Sequence, residues 1–494
     1  MTDGIYKHLA RGAAWSIGMK WTMRLIGMVN IVILARLLTP ADFGIVAMAM
    51  VAIAFVQSFT ELGPDQLLIR DTDPDTDHIN SAWTIKILQG ALVALLLLAV
   101  APFAAAYFGD PRLVGVLYVL ALAPLIDGTS NIGITLARKQ LNFQLDFWAE
   151  VVTRIITFIV TLALVLWLRS YWALIIGHVL NSVAYVLVSF LLHPWRPRIC
   201  FAYFRRYLAF AGYILPIRIA KFFNGRMGTI IVGGMGNAGL LGIYKMAADL
   251  AEMVTGQIAT PLSRGLFPGY ARLSNDPPAL ATAFRNVLAA SAMVMFPIAT
   301  GLAAVAQDFV PLLLGDQWLA TIPLMSWLCL YAMFSAINRL MTTHILIVAG
   351  KERHSALVAW FRLAILFPAA YLASREYGVI GVAIACAGVS VFMLPVSGWV
   401  LSRAIPLGFG GVLAVLARPA IASMAMYWCV AHWLVAVLEP GLFRLVAGVV
   451  LGVGIYAVII LLGWVSAGRP SGVESLLLAA TRKYARLGSG QSGS

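Results

Sequence analysis

Fourteen stretches of this chain are apolar over the length of a membrane-crossing helix, and little sequence remains outside them. They run over residues 14–34, 43–62, 83–105, 114–136, 151–168, 173–192, 214–232, 243–263, 287–306, 324–348, 355–371, 379–401, 415–438 and 445–466. Each is near the ~20 residues that cover the hydrocarbon core. The runs are unbroken, without the ten-residue alternation of a barrel strand, so helices are selected. With 61% hydrophobic and 11% charged residues over 494 positions, no soluble domain is left over. The expected fold is an all-α polytopic membrane protein of about 14 transmembrane helices.

Alternate loops differ in their content of Lys and Arg. With the N-terminus placed in the cytoplasm, inside segments carry nineteen and outside loops five, the other eleven of the 35 lying within helices. The bias predicts that both termini are cytoplasmic. The net charge of +14 is therefore mainly a topology signal. Its scatter over short loops argues against nucleic-acid binding. Cys200, Cys329, Cys386 and Cys429 show no paired spacing, and no metal site or cofactor is expected.

Six of the helix-borne cations sit too deep to reach the interface easily: Lys20, Arg24, Lys221, Arg226, Arg339 and Arg362. Facing lipid, they would together cost about 15–20 kcal/mol on translocon scales. They are therefore expected to line a wet cavity, where a basic wall suits an anion. Lys20 and Arg24 share a face of the first helix, four residues apart. Arg218 and Lys221 share a face of the seventh helix, and Arg226 points about 80–140° away from them. Arg339, beside Asn338, Thr342 and Thr343, and Arg362 on the next helix extend the polar lining. Candidate substrate-binding residues are thus Lys20, Arg24, Arg218, Lys221, Arg226, Arg339 and Arg362.

Carboxylates are fewer. Lys245, Asp249 and Glu252 form one stripe, in which Lys245 and Asp249 are expected to pair. Glu252 is left either as a counter-charge for Arg24 or Arg226, or as a site for a driving H+ or Na+. Asp127, followed by Thr129, Ser130 and Asn131, is a further ion-coupling candidate beside Glu252 and Asp249. The run Asp71–Asp77 has neither the glycine nor the twelfth ligand of a calcium loop and is expected to be solvated.

The chain also resembles itself. At an offset of 198, Lys20 falls on Arg218, Gly27 on Gly225, Gly44 on Gly242 and Met48 on Met246; at 206, Gly109 and Asp110 fall on Gly315 and Asp316. Two copies of a six-helix unit follow, parallel because each has an even number of helices, around a central cavity. The expected boundaries are 1–192 for the first bundle, 193–213 for a cytoplasmic linker and 214–401 for the second bundle. Two additional helices fill 402–466, and 467–494 is a cytoplasmic tail.

Several local motifs point to one family. They are Ala14-Trp15, the run Leu34-Ala35-Arg36-Leu37-Leu38-Thr39-Pro40-Ala41-Asp42-Phe43-Gly44, Glu61-Leu62-Gly63, and Ala137-Arg138-Lys139-Gln140-Leu141-Asn142-Phe143. The chain resembles the polysaccharide-transporter family, the Wzx-type flippases, of the multidrug/oligosaccharidyl-lipid/polysaccharide exporter superfamily. That resemblance implies a secondary transporter of the bacterial inner membrane and no enzyme. It would move an undecaprenyl-pyrophosphate-linked oligosaccharide from the cytoplasmic to the periplasmic leaflet by alternating access. The cargo would be an exopolysaccharide unit, with a leaning to an acidic succinoglycan type, or an O-antigen unit. Membrane lipids, H+ or Na+, a polysaccharide polymerase and chain-length proteins are the implied partners. A lipid II flippase shares the helix plan and the basic cavity and stands as the alternative. A polymerase or ligase would need a large outside loop with catalytic groups, whereas Gln307–Pro323 offers only Asp308 and Asp316 as charges.

Overall fold

The computed structural model describes residues 26–71, 73–140, 142–253 and 276–466, with Gly18, Thr22, Met23, Tyr270 and Leu273 besides. Lys20, Arg24 and the tail 467–494 lie outside the described residues. The chain forms two compact units, Met1–Lys245 and Met246–Ser494. Among the described residues all regular structure is helical. The first unit contains α1 (Ile26–Leu37), α2 (Pro40–Thr60), α3 (Pro64–Arg70), α4 (Thr76–Phe108), α5 (Arg112–Leu120), α6 (Leu122–Gly128) and α7 (Gly133–Lys139). α8 (Phe143–Leu168), α9 (Trp172–Leu192), α10 (Phe204–Gly233) and the start of α11 (238–253) complete it. Only 193–203 of the expected linker is irregular; from Phe204 onward it forms the first turns of α10.

The motif Thr39–Gly44 has a local physical reason. Thr39 caps α2 and Pro40 occupies its first turn, where no backbone donor is missed. The Asp42 carboxylate accepts from the Thr39 N–H at 2.9 Å and from its hydroxyl at 2.6 Å, closing a capping box. Its other oxygen accepts the Tyr171 N–H at 3.2 Å, which ties in the approach to α9. Gly44 serves packing: a Cβ there would overlap the Ala238 carbonyl oxygen, and one on Gly242 would overlap that of Pro40. Pro40 and Ala238, like Gly44 and Gly242, are one 198-residue offset apart. The contact is reciprocal, as between two elements related by a local two-fold axis.

Glycines also bring α4 against α6. A Cβ on Gly90 would overlap the Pro124 carbonyl oxygen, and one on Gly128 would lie 2.9 Å from the Lys86 carbonyl oxygen. The acidic loop corrects an expectation. Asp73 and Asp77 are exposed, but Asp71 accepts from Arg206 at 2.8 Å and lies 3.3 Å from His78 Nδ1. Asp75 caps α4 through the His78 N–H at 2.7 Å and accepts the Tyr203 hydroxyl at 2.8 Å. Those donors hold Asp75 below the usual carboxylate range. Asp71 is half-buried while Asp75 stays exposed, and both anchor the start of α10.

The second unit carries α12 (Pro277–Ala304), α13 (Ala306–Leu313), a 3₁₀ turn (Asp316–Thr321), α14 (Ile322–Thr342), α15 (His344–Val348) and α16 (Glu352–Ser402). It ends with α17 (Phe409–Trp428), a π turn (Cys429–Leu434), α18 (Val435–Val437) and α19 (Leu442–Ser466). α16 is two helices joined at Gly378, whose φ of 60° and ψ of −142° lie where only glycine is at ease. The break falls between the two segments expected at 355–371 and 379–401.

Asp308 and Arg444 were expected as outside loop charges. They are buried instead, the carboxylate accepting from Nε at 2.7 Å and from the terminal nitrogen at 2.8 Å. This pair sews α19 to α13. Removing one partner leaves a buried charge, so Asp308→Ala is expected to destabilise the protein by about 3–5 kcal/mol. Thermal unfolding in detergent checks this, and Asp308→Asn/Arg444→Met should recover part of the loss.

Nine helices among the described residues are long and apolar enough to cross a membrane, or ten if α5–α6 and α7, bent by 58°, form one span. The expectation was fourteen. Two of the remaining segments, 14–34 and 243–263, run into residues outside the description. α16 joins two more, and the segment in α10 carries Arg218, Lys221 and Arg226.

Candidate functional site

In the first unit the basic face of α10 meets the end of α2. The Arg218 guanidinium lies 2.5 Å from Glu61 Oε1, and Lys221, exposed one turn on, acts on the same carboxylate. Gly63 takes a left-handed φ of 66° two residues after Glu61, and the Leu62 N–H donates to Gln89 at 3.2 Å. This fixes how the chain leaves α2. Glu61 was missed as a site residue, although a carboxylate closing an apolar helix was signal enough. Arg226 is half-buried two turns beyond Arg218.

The fourth family motif, Ala137–Phe143, builds a neighbouring network. Arg138 donates to Asp146 at 2.8 and 2.5 Å and approaches Glu150 at 4.0 Å. Lys139 donates to the Leu68 carbonyl at 3.2 Å and to that of Asp71, covering the open carbonyls at the end of α3. Thr135 donates to Asp65 at 2.9 Å. These charges largely satisfy one another.

The second unit is different. Arg339 of α14 donates to the Ser335 hydroxyl at 3.2 Å, and Arg362 of α16 reaches the same hydroxyl at 3.1 Å. The Arg362 fork also points at Ser390 at 3.5 Å and lies 5.8 Å from the centroid of the Tyr331 ring. Asn338 holds the frame by donating to the Ser390 carbonyl at 2.8 Å and accepting from Ser397 at 2.9 Å. Arg362 is only 9% exposed, and its Nε has no hydrogen-bond partner among the described residues. Two guanidiniums thus converge on one neutral hydroxyl. Glu252 acts electrostatically on Arg339 and on Tyr331. Ser335 and Ser390 had no sequence signal, since serine is common in membrane helices.

Of the other carboxylates, Asp249 is half-buried on α11. Asp127 faces Ser182 and His178 of α9 and Lys86 of α4. Lys86 escaped notice because nothing local marks it as the neighbour of Asp127; the Gly90–Gly128 approach decides that. No disulfide joins Cys200, Cys329, Cys386 and Cys429.

A family model described as polysaccharide biosynthesis protein matches residues 33–323, more than half of the chain. The chain belongs to that family. Three relatives are each 23% identical. The succinoglycan biosynthesis transport protein ExoT of Rhizobium meliloti aligns over 92% of this chain and 93% of its own length. The teichuronic acid biosynthesis protein TuaB of Bacillus subtilis aligns over 85% and 88%. The lipopolysaccharide biosynthesis protein WzxC of Escherichia coli aligns over 75% and 76%. Among solved structures, the lipid II flippase MurJ in an inward-closed conformation superposes with a TM-score of 0.70 at 14% identity, covering 92% of this chain and 100% of that one. The fold is therefore that of polytopic membrane transporters. In this chain the three family motifs that lie among the described residues are structural devices, a capping box, a left-handed turn and a helix C-cap, while Ala14-Trp15 lies outside them.

Proposed function

We propose that this transporter flips an undecaprenyl-pyrophosphate-linked oligosaccharide across the bacterial inner membrane, from the cytoplasmic to the periplasmic leaflet. Both termini are cytoplasmic in this reading, supported by the bias of Lys and Arg between alternate loops. The observation that carries the mechanism is the buried Arg362 fork, with an unused Nε, beside Arg339. Guanidiniums bind phosphate and carboxylate through paired, charge-assisted hydrogen bonds, and here the hydrogen bonds of the pair go to the neutral hydroxyls of Ser335 and Ser390. A pyrophosphate or an acidic sugar supplies the missing acceptors. Arg218, Lys221 and Arg226, with Lys20 and Arg24, offer a second set of cations to such an anion in the first unit. The relatives' names support polysaccharide export over lipid II, and transport over catalysis.

Deleting the gene should stop surface polymer and leave the lipid-linked unit on the cytoplasmic side, accessible only after the cells are opened. Rescue of a lipid II flippase-depleted strain would turn the assignment to peptidoglycan.

H+ or Na+ supplies the drive in this reading, with Glu252, Asp249 and Asp127 as its sites. A carboxylate this deep carries an ion or neutralises a cation. Glu252→Gln is expected to abolish ion-driven flipping in proteoliposomes while substrate binding persists. Flipping that still followed an imposed gradient would reduce Glu252 to the counter-charge of Arg339.

A further inference from the structure

Along the seam of α2 and α10, beside the Arg218 of the anion-binding reading, lies an aromatic surface that this reading does not use. Phe55 and Phe59, one turn apart on α2, have ring centroids 4.9 Å apart and remain 36% and 43% exposed. Phe222 of α10 is buried and meets Phe55 edge-on at 5.7 Å, forming a floor, and Phe223 closes one side at 6.5 Å. Arg218 stands one helical turn before Phe222 and carries the ion pair with Glu61. The shelf therefore ends in a carboxylate–guanidinium pair.

Exposure decides what such a surface can face. The Glu61 and Arg218 side chains are 29% and 28% exposed, and Lys221 beside them is exposed. Hydrocarbon would leave these charges unsolvated at a cost of several kcal/mol. Open water alone would leave two large aromatic rings wet. The complementary ligand is apolar on a face and hydroxylated around its rim, which is the chemistry of a sugar ring. The rings offer a flat apolar bed, and the pair offers a carboxylate acceptor and guanidinium donors at its edge.

We propose that Phe55, Phe59 and Phe222, with Glu61 and Arg218, form a subsite for a sugar ring of the lipid-linked oligosaccharide. It rests on the flippase reading and adds to it a place for the glycan apart from the Arg339–Arg362 pair. Phe55 and Phe59 form the bed, while Glu61 and Arg218 set the orientation of the ring through its hydroxyls. Neither role requires a charged sugar, so the subsite accepts neutral and acidic rings alike.

The test places the photoreactive aromatic p-benzoylphenylalanine at position 55, 59 or 331 in cells that make the polymer. After irradiation, adducts on the purified full-length protein are analysed for sugar by mass. Sugar-bearing adducts at 55 or 59 are expected. Phospholipid or bare polyprenyl chain at both positions would overturn the subsite, because the shelf would then face hydrocarbon. Sugar-bearing adducts at 331 alone would overturn the subsite and leave the flippase reading standing. Absence of sugar-bearing adducts at all three, with surface polymer intact in the deletion strain, would overturn both. In parallel, Phe55→Leu/Phe59→Leu is expected to lower export about tenfold, from loss of aromatic contact beyond apolar area. Phe59→Trp should retain export. Equal export by the leucine double variant at equal protein level would also refute the subsite.

Discussion

Replacement of Arg362 by alanine is expected to abolish polysaccharide export while insertion and protein level stay near normal. The guanidinium is buried, donates to serine hydroxyls beside the Tyr331 ring and leaves Nε without a hydrogen-bond partner among the described residues, so the folded state gains little from it. An anion would gain much more, since a hydrogen bond to a charged group contributes about 1.5–3 kcal/mol. Loss of two such bonds weakens binding by roughly a hundredfold or more. Arg362→Lys should restore export only in part, because an ammonium cannot present the paired fork. Arg339→Ala should act in the same direction. Normal export by the Arg362→Ala strain, measured as surface polymer per cell, would remove the pair from the transport path.

Gly44→Leu is expected to prevent accumulation of folded protein. A side chain there collides with the Ala238 backbone, which cannot rotate away as a flexible side chain would. Forced overpacking costs about 1–3 kcal/mol where neighbours adjust, and more where they are backbone. Gly242→Leu should fail equally, because it meets Pro40 in the reciprocal contact. Gly225→Ala is the control: it belongs to another repeat-related pair, yet a Cβ there meets open space. Monodispersity and yield on detergent chromatography separate the three. A well-folded Gly44→Leu protein would show that the α2–α11 contact is dispensable.

The sequence by itself determined the helical class and the membrane solvent, because hydropathy and helical period are local properties that bind each segment separately. It also placed a break between two spans, where Gly378 stands. The repeat glycines were legible too, although only the structure separates Gly44 and Gly242, which touch, from Gly225, which does not. Which charges meet was decided by tertiary structure. Arg218 finds Glu61, Arg339 and Arg362 share Ser335, Asp308 is buried against Arg444, and Asp71 and Asp75 hold the start of α10. Helical spacing states which face a side chain occupies, but the identity of the opposing helix comes from interhelical packing. Close approaches at a few glycines, such as Gly90 against Pro124, set those neighbours, and an ion pair costs or stabilises according to the neighbour it is given.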